Sequence, residues 1–101
     1  MVAAMSTLVG PVEALEEVSR LASESVGPWL REYEGYLGTF VFVEHAAGKA
    51  RLMTLWASAE DEGRARASRG AMRDQLATTA GMDVVEFEVL DVLAWEVLPE
   101  A

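Results

Sequence analysis

The sequence predicts an α+β subunit of element order β-α-β-β-α-β, in which an antiparallel sheet carries two helices on one face. Three observations lead there. Two adjacent apolar runs, Thr39 to His45 and Arg51 to Ala57, are joined by a short glycine-containing turn. Large apolar side chains occupy both faces of both runs, which an antiparallel sheet with one wet face does not show, so each face needs a cover. Helical patterns precede and follow this pair, and a long apolar run closes the chain. The helices supply one cover, and a second copy of the chain is expected to supply the other.

Taken in order, Met1 to Val9 offers only Leu8 and Val9 as clear strand formers and is read as the first strand. From Val12 onward Leu15, Val18, Ala22, Val26, Trp29 and Tyr33 fall three or four apart, with Glu13, Glu16, Glu17, Arg20, Glu24 and Arg31 opposite. This spacing predicts an amphipathic helix over about 11–33, kinked at Gly27-Pro28 and stopped at Gly35. Val41, Val43 and His45 then share one face of the second strand, and Phe40, Phe42 and Glu44 the other. Ala46-Ala47-Gly48-Lys49 is short enough for a hairpin, after which Met53 and Leu55 alternate with Leu52, Thr54 and Trp56. Ser58 followed by Asp61 is a capping pattern, and Glu60, Asp61 and Glu62 suit the positive end of a helix over about 59–79, which Gly81 ends. Its expected stripe, Ala65, Ser68, Met72, Leu76 and Thr79, is thin, and Gly70 in mid-helix is expected to mark a close backbone contact. Asp83 to Val97 reads as the last strand, with Val85, Phe87, Val89, Leu93, Trp95 and Val97 on one face.

At 101 residues, with 51% hydrophobic residues, the chain suits one domain over 1–101. No apolar run approaches the roughly 20 residues of a membrane span, and Met1 to Gly10 lacks the pattern of a signal peptide, so a cytoplasmic protein without a membrane partner is expected. There is no Cys and only one His, which leaves no thiolate chemistry and too few ligands for a zinc cluster within one chain. A net charge of −9 repels phosphate backbones, so nucleic acid is not an expected partner. The charge is uneven: Arg64, Arg66, Arg69 and Arg73 are four of the eight cations, and seven acids but no cation follow them.

The element order, with Trp29-Leu30-Arg31-Glu32-Tyr33-Glu34-Gly35-Tyr36-Leu37-Gly38 leading into the second strand, resembles the dimeric α+β barrel family, and within it the antibiotic biosynthesis monooxygenase branch. Members typically end the first helix in a Pro-Gly-Phe-x-Gly turn, matched here with Glu34 for Pro and Tyr36 for Phe. A Trp-x-Ser-x-Glu step into the second helix is matched by Trp56, Ser58 and Glu60. The resemblance covers roughly residues 12–97. It implies a ferredoxin-like subunit whose sheet packs against its twin in a homodimer, with a mostly apolar cavity between sheet and helices. The branch includes cofactor-free oxygenases of aromatic polyketides and haem-degrading enzymes. Such oxygenases commonly use an Asn, and this chain has none; the haem degraders use a His on the second helix, and none stands between Ser58 and Gly81. Haem is therefore not expected, oxygenation is left without one usual participant, and no other cofactor is expected.

Several residues carry candidate chemistry. Trp29 and Trp56 could line a pocket for a small apolar or aromatic molecule, or simply pack in the core. Tyr33 and Tyr36 could hydrogen-bond a ligand oxygen or donate a proton, or simply reach water. Histidine is the side-chain type whose ordinary pKa lies near neutrality, which makes His45 the natural general base, although a lone His at a strand end also suits a surface or capping role. Arg66, Arg69 and Arg73 could hold a carboxylate or enolate at the cavity rim, or answer the chain's many acids. Two functions follow: a cofactor-free monooxygenase-like or acid/base enzyme acting on a small aromatic or polyketide-like molecule, or a non-catalytic dimeric module for ligand binding or protein association. A closed pocket containing His45 or a tyrosine favours the first, and one filled by Trp, Phe and Met the second.

Overall fold

A computed structural model describes residues 1–98. Its elements follow the expected order: β1 (Val2–Val9), α1 (Leu15–Leu21), α2 (Gly27–Leu30), β2 (Tyr36–Glu44), β3 (Lys49–Trp56), α3 (Ala59–Ala80) and β4 (Asp83–Asp91). The four strands form one sheet in the order β2-β3-β1-β4, with every neighbouring pair antiparallel. The weakly patterned N-terminus is a central strand, buried along most of its length because β3 and β4 flank it on either side.

α1 and α2 are one rod interrupted by a wide π turn, Ala22–Val26, with a 3-10 turn (Val12–Ala14) leading in. The distortion falls just before Pro28, whose ring would otherwise press on the Glu24 carbonyl. The extra residue in a wide turn moves the buried stripe on by one position. Leu30 is fully buried while Trp29 and Tyr33 are only half-buried, and the helix ends at Leu30 rather than near Tyr33. Gly35 follows with φ +83°, as the expected stop requires.

The hairpin between β2 and β3 turns through a short 3-10 segment, His45–Ala47, and Gly48 at φ +60°. Gly48 also accepts a hydrogen bond from the Gly10 amide at 2.9 Å, tying the hairpin to the end of β1. Ser58 caps α3, its hydroxyl accepting the Asp61 N–H at 3.1 Å, and Gly81 closes the helix at φ +79°.

The buried face of α3 differs from the expected one. Glu62, Ala65, Arg69, Leu76 and Ala77 are buried, whereas Ser68 and Thr79 are exposed. A Cβ on Gly70 would approach only the Arg73 guanidinium, at 3.8 Å, so the expected close backbone contact is absent among the described residues. β4 ends at Asp91 instead of Val97. Val92 still donates its N–H to the Met1 carbonyl at 3.1 Å, but the residues on to Leu98 pair with no strand, and Leu93 is 97% exposed. A bulge also shifts register between Thr7 and Leu8, leaving Val85 without a partner. Val84 rather than Val85 therefore joins Phe87 on the inner face.

Two clusters fill the space between sheet and helices. One is aliphatic, around Leu8, Leu15, Val18 and Leu76 near the hairpin end; the other gathers Val2, Leu30 and Trp56 with Tyr33, Tyr36 and Phe87 at the opposite end. On the outer face Phe40 and Phe42 stack with ring centroids 6.0 Å apart and remain exposed, as does Leu90.

Candidate functional site

Between the two clusters lies a cavity. Ala4 and Ser6 of β1, Thr39 of β2, and Leu52 and Thr54 of β3 form its sheet side. Its helix side is Ala22, Val26 and Leu30, together with Arg69, Arg73 and Leu76 of α3. Inward positions on paired strands place the three hydroxyls together: Ser6 is opposite Leu52, Ala4 opposite Thr54, and Thr54 opposite Thr39. The volume is about 30 Å³, enough for a carboxylate-sized group or a water or two, and too small for an aromatic ring. Outside it, bordered by the same Thr39, lies an open cleft of about 500 Å³ lined by Ser23, Arg31, Tyr36, Leu37 and Gly38.

Tyr36 connects these spaces. Its phenol is hydrogen-bonded to the Thr39 hydroxyl, in which either oxygen can donate, so a proton can pass between the cleft side and the cavity wall. Trp56 is fully buried behind this pair, and its indole N–H donates to the Thr54 hydroxyl at 2.9 Å. That bond leaves the Thr54 proton free to serve another acceptor. Trp29, Tyr33, Tyr36 and Trp56 form a run of edge-to-face contacts, with centroids 5.0 Å apart for Trp29 and Tyr33, 6.5 Å for Tyr33 and Trp56, and 5.6 Å for Tyr36 and Trp56. Such pairs fix ring orientation as well as burying area.

The cavity's charge comes from α3. Glu62, fully buried, accepts hydrogen bonds from Arg69 at 2.6 Å and from Arg66, whose guanidinium is half exposed. The hydrogen bond from Arg66 holds the Glu62 carboxyl below its usual range against the opposing effect of burial. Burial pushes the Arg69 guanidinium down, although Glu62 pulls it up, and Arg73 and Arg66 push it further down. Arg69 Nε is buried without a hydrogen-bond partner among the described residues; an unpaired buried donor costs about 1–3 kcal/mol. Arg73 donates to the Ser6 hydroxyl at 3.3 Å and pairs with Asp74 at 2.9 Å. Both guanidinium groups lie over the Phe87 ring, at 4.9 and 5.4 Å from its centroid.

Of the residues singled out in the sequence, the structure brings Trp29, Tyr33, Tyr36 and Trp56 together and places Arg69 in the cavity wall. It sets Arg66 on the solvent side of Glu62. His45 stands apart, exposed beside Leu15, Glu16, Ser19, Val41 and Val43 at the hairpin end. The length of β3 separates that end from Trp56, roughly 20 Å at the rise of a strand. Sequence reasoning missed Ser6, Thr39, Thr54, Glu62 and Phe87. One signal was available: Glu62 and Arg69 lie seven apart, in phase with Ala65 and Leu76, so a charged pair interrupts the apolar stripe. Among the described residues no three of His, Asp and Glu gather as metal ligands would, and no helix is long and apolar enough to cross a membrane.

No family model and no curated protein sequence matches the chain. Solved structures do. A candidate antibiotic biosynthesis monooxygenase of Deinococcus radiodurans superposes with a TM-score of 0.64 at 16% identity, covering 100% of this chain and 99% of that one. The ActVA-Orf6 monooxygenase of Streptomyces coelicolor, solved in complex with nanaomycin D, gives 0.69 at 17% identity over 98% of this chain and 91% of its own. SnoaB, a cofactor-independent oxygenase of Streptomyces nogalater, gives 0.61 at 17% identity over 98% and 97%. At these identities the likeness establishes the fold: the chain has the ferredoxin-like architecture of antibiotic biosynthesis monooxygenase-like proteins.

Proposed function

We propose that the chain is a cofactor-independent, monooxygenase-like enzyme, working as a homodimer on a small aromatic or polyketide-like molecule held between sheet and helices. The observation that carries this reading is the Tyr36–Thr39 hydroxyl pair at the junction of an open cleft and a small enclosed cavity. A ring system lies in the cleft and only one substituent enters the cavity, where few waters compete for its hydrogen bonds. The fold neighbours add support, since one is a cofactor-independent oxygenase and another holds nanaomycin D.

In this mechanism an electron-rich hydroxylated substrate itself supplies the electrons that reduce dioxygen: one oxygen atom replaces a ring hydrogen and ends as a quinone carbonyl, while the other leaves as water with that hydrogen and the hydroxyl proton. Tyr36 and Thr39 hold the substrate hydroxyl and carry its proton toward the cleft. Trp56 orients Thr54, and Trp29 and Tyr33 support Trp56 from behind through their edge-to-face contacts. His45 takes no part within one protomer, because it lies beyond the far end of β3.

The homodimer reading rests on the outer face, where Phe40 and Phe42 are exposed on β2 at one edge of the sheet and Leu90 on β4 at the other, with Leu93, Trp95, Val97 and Leu98 exposed after β4. A patch of that kind marks an interaction surface, and a second copy would bury the equivalent face in return.

The test is oxygen consumption with a panel of hydroxylated aromatics and no added cofactor. Turnover by the wild-type chain, reduced at least a hundredfold by Tyr36→Phe or Thr39→Val and changed less than twofold by His45→Ala, is the expected result. Full turnover by both hydroxyl variants would overturn the assignment. One observation favours a second reading, a dimeric module that binds a ligand without converting it: among the described residues, arginines are the only titratable ones lining the cavity, so no evident general base is present there. Binding of the panel without oxygen uptake would support it.

A further inference from the structure

Among the described residues, the charged groups in the cavity wall are cations: Arg69 and Arg73 line it, and no carboxylate does. Glu62, the one buried acid nearby, is already shared between Arg69 and Arg66, while the partner of Arg73, Asp74, is mostly exposed. Three arginines thus face two acids, a local excess of positive charge inside a chain of net charge −9. Arg69 is only 5% exposed, yet its Nε has no partner among the described residues. The shared Phe87 face holds the two guanidinium groups side by side, although like charges would otherwise separate.

We propose that Arg69 and Arg73 form an anion-binding subsite that takes the carboxylate, or another planar oxyanion, of the molecule held in the cavity. The proposal rests on reading that cavity as the ligand site and narrows its ligand to a small acid. A guanidinium fork matches a planar oxyanion, and Arg69 Nε–H is a donor awaiting an acceptor. The hydroxyls of Ser6, Thr39 and Thr54 supply further donors around the same space. Size agrees as well: about 30 Å³ admits the carboxylate end and leaves a ring at the Thr39 mouth. Desolvation of Arg69 by its surroundings, which already disfavours its charged form, is relieved when an anion arrives.

The test uses sodium benzoate and its neutral isostere benzamide at constant ionic strength, following the Arg69 Nε–H and Trp56 indole N–H resonances by NMR. Benzoate is expected to shift the Arg69 signal saturably and to bind at least tenfold more tightly than benzamide. Arg73→Gln should remove most of that preference, Arg73→Lys should keep part of it, and Arg64→Gln, on the exposed side of α3, should leave it intact. Equal binding of both probes, with the Trp56 signal responding to each, would overturn the anion subsite and leave the cavity reading standing. A full preference for benzoate in Arg73→Gln would overturn the role of Arg73. No response of either signal to either probe would overturn the subsite and the cavity reading together.

Discussion

The two faces of the sheet are similarly apolar, but only the inner one is covered within the chain. Behind the helices, Trp56, Leu30 and Leu8 are buried around a cavity that also contains charge. On the other side Phe40 and Phe42 stack in the open, Phe42 at 47% exposure. The difference teaches how a small domain can divide its labour. The covered face tolerates buried polar groups because Glu62, Arg69, Thr54 and Trp56 partner one another there, and this is where selective binding is possible. The bare face carries rings and few partnered polar groups, which suits association more than chemistry.

The comparison breaks most visibly at Glu62. Glu62→Gln leaves the buried Arg69 guanidinium without its counter-charge, and urea denaturation should report a loss of about 3–5 kcal/mol. Leu30→Ala removes a fully buried side chain and should cost about 2–5 kcal/mol, whereas Leu37→Ala, at an exposed position, should change stability by less than about 0.5 kcal/mol. The Leu30 loss checks the phase shift through the π turn, because an unshifted stripe would bury Trp29 in place of Leu30. Phe40→Ser with Phe42→Ser should weaken self-association at least a hundredfold in sedimentation velocity and leave the inner-face variants' stabilities in the same order.

Acid sharpens the contrast further. The Glu62 carboxyl titrates below its usual range in the folded chain, so its contribution is fully present above the unfolded value of about 4.3 and is lost as pH falls through the folded value. Stability measured between pH 7 and pH 3 should therefore decline below about pH 4 in the wild type and decline less in Glu62→Gln. The outer face behaves oppositely: a hydrogen bond with Glu86 raises the Glu88 carboxyl, so protonation there relieves repulsion. Glu86→Gln should raise the melting midpoint slightly at pH 7 and not at pH 4, the smallest of these effects.

Much of the fold was legible because local signals agreed with one another. The Ser58 cap, the turn at Gly48 and the alternation of Leu52, Thr54 and Trp56 each report a short-range geometry that the chain adopts. The misplaced features depend on events that periodicity does not encode. A single extra residue in the π turn moved burial from Trp29 to Leu30, and a single bulge at Val85 exchanged it with Val84 on the inner face. The apolar alternation beyond Asp91 reads as a strand, but pairing requires a neighbour, and β1, the strand beside β4, spans only Val2–Val9, with Val2 opposite Asp91. The candidate site was less legible. Hydroxyls on strands β1, β2 and β3 converge only through register, and His45, the residue most conspicuous as chemistry, is carried to the opposite end by the hairpin.

The proposed division between a ligand-holding inner face and a self-associating outer face is tested most directly by light scattering at micromolar concentration. The account predicts a particle of about 22 kDa, twice the 11.0 kDa chain, that falls to a folded monomer in Phe40→Ser with Phe42→Ser. A wild-type chain that scatters as an 11 kDa monomer would contradict it.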